Sequence, residues 1–182
     1  MLSLHFKDEL SPGIYSLSIQ FVGILSDDLH GFFRASYINK KGNRVWLAVT
    51  NFEATFARRA FPCWDESALK ATFNISVKHH RNYTALSNML IREQSDGEDD
   101  MVWTHFDRSP VMSTYLAAFA VSDYISIPSA NGMAFNMWCR SALAPYSKLA
   151  QNVAQKAKEI LTEYTNSTYI VPKMDHIAVS TI

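Results

Sequence analysis

The chain has 182 residues, 48% of them hydrophobic and 13% aromatic, which is enough apolar material for a packed core of ordinary domain size and argues against intrinsic disorder. Seventeen basic residues balance seventeen acidic ones, so no global field favours nucleic acid. No stretch approaches the roughly 20 apolar residues of a membrane span, and Met1 to Leu10 has neither the basic start nor the apolar centre of an export signal.

Taken in chain order, the first regular pattern follows the Ser11-Pro12-Gly13 turn. Tyr15, Leu17, Ile19 and Phe21 alternate with polar residues, predicting a half-buried strand that ends at Ser26-Asp27-Asp28. Two more strands are expected over Phe32 to Tyr37 and Arg44 to Val49, joined by a Lys41-Gly42-Asn43 turn. Phe32, Phe33 and Trp46 belong to an aromatic stripe read as core, in preference to a cofactor or base-stacking role. The alternation of Phe73, Ile75 and Val77 predicts a strand that also contains Asn74. Met101 to Phe106 reads as one arm of a hairpin whose solvated tip is Glu98-Asp99-Asp100, and Tyr115 to Val121 as a strand buried on both faces. Met133 to Cys139 closes the series. Many short strands between turn signals predict a mainly β fold, an antiparallel sandwich or saddle.

After Pro145 the period changes. Leu149, Val153, Ala157, Ile160, Leu161 and Tyr164 recur at spacings of three and four, opposite Lys148, Gln151, Gln155 and Glu159, predicting one amphipathic helix. Pro145 suits its start and Asn166-Ser167 its end, and Ile170-Val171-Pro172 leads into a last short strand. A boundary near Ala142 divides the chain into residues 1–142 and 143–182.

Few side chains announce chemistry on their own. His5, His30, His79, His80, His105 and His176 form no i, i+4 pair, and His79 and His80 point apart on a strand, so no metal site is predicted. Cys63 and Cys139 permit one disulfide without requiring it; Cys63 reads as a small buried hydrophobe. Asn74, Asn82 and Asn166 head N-x-S/T sequons, which are glycan acceptors only on a chain that enters the secretory pathway; Asn82 and Asn166 rank above Asn74 because of its predicted strand. Glu53, read alone, would cap the turn from Ala54 to Ala60 or pair with Arg58 or Arg59. Arg58 and Arg59 are expected to be structural, paired with Asp65 or Glu66.

The run V-T-N-F-E-A-T-F-A-R-R-A-F-P-C-W-D-E, Val49 to Glu66, resembles the segment T-Q-F-E-x-x-x-A-R-R-A-F-P-C-x-D-E-P of the zinc aminopeptidases related to aminopeptidase N. The resemblance continues through Ala68 to Phe73, Ala85 to Met89, Pro110 to Leu116 and Pro172 to Asp175, covering most of the chain. It implies the later part of that family's amino-terminal β-domain followed by the first helix and strand of a thermolysin-like catalytic domain. Glu53 then aligns with the glutamate that grips the substrate's amine, and Asn51 with a glutamine whose amide lines the pocket for the first side chain, one methylene shorter here. Phe56 stands where the family commonly has a small or polar residue, and Ser67 where it has proline.

The family's H-E-x-x-H helix, its G-x-M-E-N loop and its tyrosine are absent from the sequence, so no residue of this chain is assigned a catalytic or zinc-binding role. Zinc belongs to the full-length parent, as does a cell-surface or secretory location. The reading is therefore of a fragment that supplies the amine-anchoring wall, inactive without the missing catalytic domain on which its helix would pack. The competing reading is a non-catalytic β-sandwich acting as a binding module or decoy.

Overall fold

The computed structural model describes residues 3–128, 135–167 and 171–179. In chain order its strands are β1 Gly31–Ile38, β2 Arg44–Asn51, β3 Lys70–Ala71, β4 Ser76–His80, β5 Thr84–Ser87, β6 Ile91–Asp96, β7 Met101–Phe106, β8 Met112–Ser113, β9 Phe119–Ser122, β10 Ile125–Pro128, β11 Phe135–Cys139 and β12 Met174–Ile177. One α-helix, α1 Ser147–Thr165, lies between β11 and β12. The fold is mainly β, and the pairs within its sheets are antiparallel except for β11 with β12.

The largest sheet has the order β1-β2-β9-β5. Phe33, Ala35, Leu47, Val49, Leu86 and Ala120 come from its four strands and bury one face together with Tyr124. Trp138 and Ile177 pack on that face from the β10-β11-β12 sheet, and Val179 from just beyond β12, so the two sheets share a core. The β1–β2 turn follows from its residues: Asn39 Oδ1 accepts from the backbone N–H of Lys41 at 2.9 Å and Asn43 at 3.0 Å, while Gly42 takes φ +79°, a conformation that costs glycine little. The β4-β7-β6 sheet is a second antiparallel unit, and its acidic tip at Asp99 and Asp100 adopts positive φ.

Four expectations need correction. Residues 14–25 form no strand, and Tyr15, Leu17 and Phe21 are exposed, as are Ile14, Val22 and Ile24. Alternation selects a face but does not supply a ladder partner, and among the described residues none pairs with this segment as a strand until Ser26 bridges Phe33. Tyr115 is not in a strand: Thr114–Leu116 is a 3-10 turn, and only Phe119–Ser122 joins the sheet. Asn74 precedes β4 instead of lying within a strand and is exposed, so that objection to it disappears. Trp46 is not core. It lies on the outer face of the β1–β2 hairpin, 44% exposed, with the guanidinium carbons of Arg34 and Arg44 at 5.1 and 5.6 Å from its ring centroid and Ser36 buried at the same register.

The helix is confirmed, and so is its end: Asn166 takes the left-handed conformation that stops it. A six-residue 3-10 segment, Ser141–Tyr146, holds Pro145 and runs straight into α1. The helix turns its polar side inward. Ser147 and Gln151 are its buried residues, with Gln151 Nε2 donating to Ile127 O at 3.2 Å, whereas Leu149, Val153, Ile160, Leu161 and Tyr164 are exposed. No helix among the described residues is long and apolar enough to cross a membrane.

Candidate functional site

The segment from Val49 to Glu66 begins as the second half of β2 and ends in irregular chain. Phe52, 2% exposed, anchors the change of direction; its ring meets those of Phe61 and Phe119 edge-on at 5.8 and 6.0 Å, within a cluster that includes Ala57, Met112 and Ala117. Phe56 N donates to Phe52 O at 2.9 Å, closing a loop that carries Glu53, Ala54 and Thr55 on the surface, with the Glu53–Ala54 peptide cis. A 3-10 turn, Ala57–Arg59, follows. Gly31 allows β1 to start against this turn: a Cβ there would stand 3.0 Å from Arg59 Cβ and 3.3 Å from Phe56 O, on a residue with φ +73°.

Buried Asp65 holds the turn from behind. Its Oδ2 accepts from Arg58 N at 3.0 Å and Arg58 Nε at 3.2 Å, and its backbone carbonyl accepts from Arg58 Nη2 at 2.9 Å. Arg58 therefore pairs as expected, but Arg59 reaches across the chain to Asp28 at 2.8 Å instead of to Asp65 or Glu66. Hydrogen bonds from Ser26, Arg59 and the His30 backbone hold the Asp28 carboxyl down at about 2. The hydroxyls of Thr114 and Ser113 donate to Trp64 O and Ser67 O at 2.8 and 2.6 Å, tying the far end of the segment to the β8 region.

Glu53 stands apart from this network. It is exposed, and among the described residues its carboxylate has no hydrogen bond or ion pair: Phe56 is the cap residue of the 3-10 turn, without a side-chain cap bond, and both arginines are engaged elsewhere. Glu66 is also exposed and unpaired, but lies beyond the Asp65 anchor. Asn51 is exposed two residues before Glu53, and its Nδ2 donates to Leu29 O at 3.0 Å. Cys63 is half-buried, not fully buried, and burial together with the Asp65 charge pushes its thiol up to about 11; Cys63 and Cys139 are both free.

The histidines remain dispersed. His79 is buried, its Nε2 2.8 Å from Thr104 Oγ1, whereas His80 is exposed on the other face of β4. His105 Nδ1 is 2.7 Å from Ser76 Oγ, and its ring stacks on Trp103. Among the described residues no group of three or more His, Cys, Asp or Glu side chains is placed to hold a metal ion. The sequon residues Asn74, Asn82 and Asn166 are all exposed.

One polar cluster was not anticipated. Lys173 pairs with Asp175, both side chains being 9% exposed; Asp175 Oδ1 also accepts from Asn136 Nδ2 at 2.9 Å and Trp138 Nε1 at 3.0 Å, and Lys173 Nζ donates to Ser87 O at 2.6 Å. The pair lines a cavity of about 210 Å³ with Thr50, Leu86 and Phe119. The available signal was the spacing of Lys173 and Asp175, since residues two apart on extended chain share a face. A second cavity, about 240 Å³, lies beside His79, Arg81, Tyr83 and Gln94; neither cavity is lined by Asn51 or Glu53.

Comparison with known proteins places this geometry. Residues 1–116 match the model of the Peptidase M1 N-terminal domain. The chain is 39% identical to aminopeptidase N of Bos taurus over 97% of its own length and 19% of that protein. Identity is also 39% to aminopeptidase M1 of Arabidopsis thaliana, over 98% of this chain and 20% of the relative, and 35% to glutamyl aminopeptidase of Sus scrofa, over 95% and 19%. The chain thus spans about a fifth of the length of these curated relatives. With the domain model covering more than half of the chain and identity near 39% over almost all of it, the chain belongs to the peptidase M1 family, in the region of its N-terminal domain.

Proposed function

We propose that this chain supplies the amine-anchoring wall of a zinc-dependent aminopeptidase. Glu53 accepts hydrogen bonds from the free amino terminus of a peptide, and Asn51 borders the pocket for its first side chain. The observation that carries this reading is the Glu53 carboxylate, exposed and without a hydrogen bond or ion pair among the described residues, on a loop closed by the bond from Phe56 N to Phe52 O. An ammonium meeting such a carboxylate in a partly desolvated site forms charge-assisted hydrogen bonds worth about 1.5 to 3 kcal/mol each. Asn51 is the weaker contributor, because one N–H of its amide is held by Leu29 O, which fixes the orientation of the N–H and the oxygen left to meet a ligand.

Among the described residues no cluster of His, Cys, Asp or Glu side chains is placed to hold the family's zinc. Peptide hydrolysis needs elements that these 182 residues do not include, H-E-x-x-H among them, so the chain alone is inactive on this reading. Residues 1–142 form the β-domain portion and residues 143–182 open the catalytic portion. Asn82, Asn166 and Asn74 carry glycans if the protein is secreted or displayed.

The test uses an active aminopeptidase carrying this segment. Glu53→Ala should lower kcat/KM for peptides with a free amino terminus by about 2 to 4 kcal/mol of transition-state stabilisation, and Glu53→Gln by less, because the amide keeps an acceptor. Stability should move by less than about 0.5 kcal/mol, since the side chain is exposed and makes no hydrogen bond or ion pair among the described residues. Unchanged turnover with a lowered Tm would overturn the assignment.

A further inference from the structure

We infer that Phe56 is a positioning residue of the amine-anchoring site, fixing with His30 where the loop that carries Glu53 stands; this rests on the reading of Glu53 as the amine anchor. Phenylalanines hold the loop at both ends, in different ways. Phe52, 2% exposed, is set into the core against Phe61 and Phe119. Phe56 is half-buried outside that cluster, and its ring centroid stands 4.2 Å from that of His30 with the planes tilted by 46°. Between them Glu53, Ala54 and Thr55 are all exposed, so the loop puts no side chain of its own into the core. Its placement is set by what its two ends touch.

The partner ring is itself held. His30 N donates to Asp28 Oδ1 at 3.3 Å, Asp28 Oδ2 accepts from Arg59 Nη2 at 2.8 Å, and the Arg59 guanidinium carbon lies 5.9 Å from the Phe56 ring centroid. Gly31, next in the chain, comes close to Phe56 O and Arg59 Cβ because it has no Cβ to intervene. The segment from Asp28 to Gly31 therefore meets the turn from Phe56 to Arg59 through backbone, ring and charge, and Asn51 joins the same segment at Leu29 O. The Arg59–Asp28 pair is exposed on both sides and weakened by salt, which leaves the ring contact as the part of this brace that ions do not screen. A carboxylate on an unbraced loop is in place for only a fraction of the time, so its apparent affinity for an ammonium falls by that fraction while the complex, once formed, reacts as before. Loss of the brace belongs in KM, not in kcat.

Steady-state kinetics on peptides with a free amino terminus, in an active aminopeptidase carrying this segment, tests the assignment. Phe56→Ala should raise KM roughly threefold to tenfold with kcat within about twofold, and Phe56→Tyr, which keeps the ring, should hold the original KM. His30→Ala removes the other half of the contact from a half-buried site and should reproduce the effect, so it carries the test alone if Phe56→Ala does not fold. The two together should cost no more than either one. In a Glu53→Ala background neither substitution should change kcat/KM further, because there is no carboxylate left to place. An unchanged KM in both single variants, a loss that falls on kcat alone, or losses that multiply with that of Glu53→Ala would overturn the inference and leave Phe56 as packing, with the anchoring role of Glu53 intact. Glu53→Ala without any effect on kcat/KM would overturn both.

Discussion

Removing the Asp175 carboxylate probes an ion pair buried on both sides. In Asp175→Ala the Lys173 ammonium, its side chain 9% exposed, loses its anion, and Asn136 Nδ2 and Trp138 Nε1 lose their shared acceptor. Breaking a buried pair from one side costs about 3 to 5 kcal/mol, of which the two neutral hydrogen bonds are a part and not an addition. Against a total stability of about 5 to 15 kcal/mol for a domain this is a large fraction. Asp175→Asn keeps an oxygen for Asn136 and Trp138 and should cost less than the alanine variant. Lys173→Met combined with Asp175→Leu removes both charges and should recover most of the loss, because desolvation of the pair is removed along with its attraction. Urea unfolding followed by tryptophan fluorescence measures each difference at fixed protein concentration, and Trp138 reports from within the cluster. An Asp175→Ala variant within about 1 kcal/mol of wild type would refute the reasoning, showing that water reaches the pair freely.

Other parts of the fold give independent expectations. Thr104→Val should cost about 1 to 3 kcal/mol, since the fully buried hydroxyl stands between His79 Nε2 at 2.8 Å and Gln94 Nε2 at 2.9 Å; urea unfolding measures it. Burial holds His176 below its ordinary 6.5, against the opposing pull of Asp175, and its Nε2 is buried without a partner among the described residues. The unfolded chain therefore binds the extra proton as pH falls below 6.5, so stability should decline from there toward the depressed folded value, and His176→Gln should flatten that slope in a series of melts. With the Cys63 thiol raised to about 11 and Cys139 also raised by burial, both should resist a thiol reagent at pH 8 and label together when the chain unfolds.

What was legible in the sequence divides by range. The β1–β2 hairpin could be read because its alternation, its Asn39-to-Asn43 turn and its pairing partner all lie within one short stretch. The helix and its stop at Asn166 are equally local. Tyr15 to Phe21 shows the same period of two yet forms no strand, because a ladder needs a neighbour that no periodicity specifies. Around Glu53 the motif identified the loop, and Arg58 with Asp65 could be paired from seven residues' separation. Arg59 with Asp28, thirty-one residues apart, could not. Trp46 was misread for a related reason: aromatic content marks a strand but not which face meets solvent, and two arginines make the outer face acceptable.

The parallel pairing of β11 with β12 has a kinetic consequence. Cys139 and Met174 lie 35 residues apart with α1 between them, so this ladder closes only after a long loop has been brought together, whereas the β1–β2 hairpin closes across five residues. Closure entropy grows slowly with length but is lost in a single step, and among the described residues β12 has a strand on one side only. Its amides should exchange with deuterium through partial opening while those of β2 and β9 wait for global unfolding, making β12 the seam at which the molecule first comes apart.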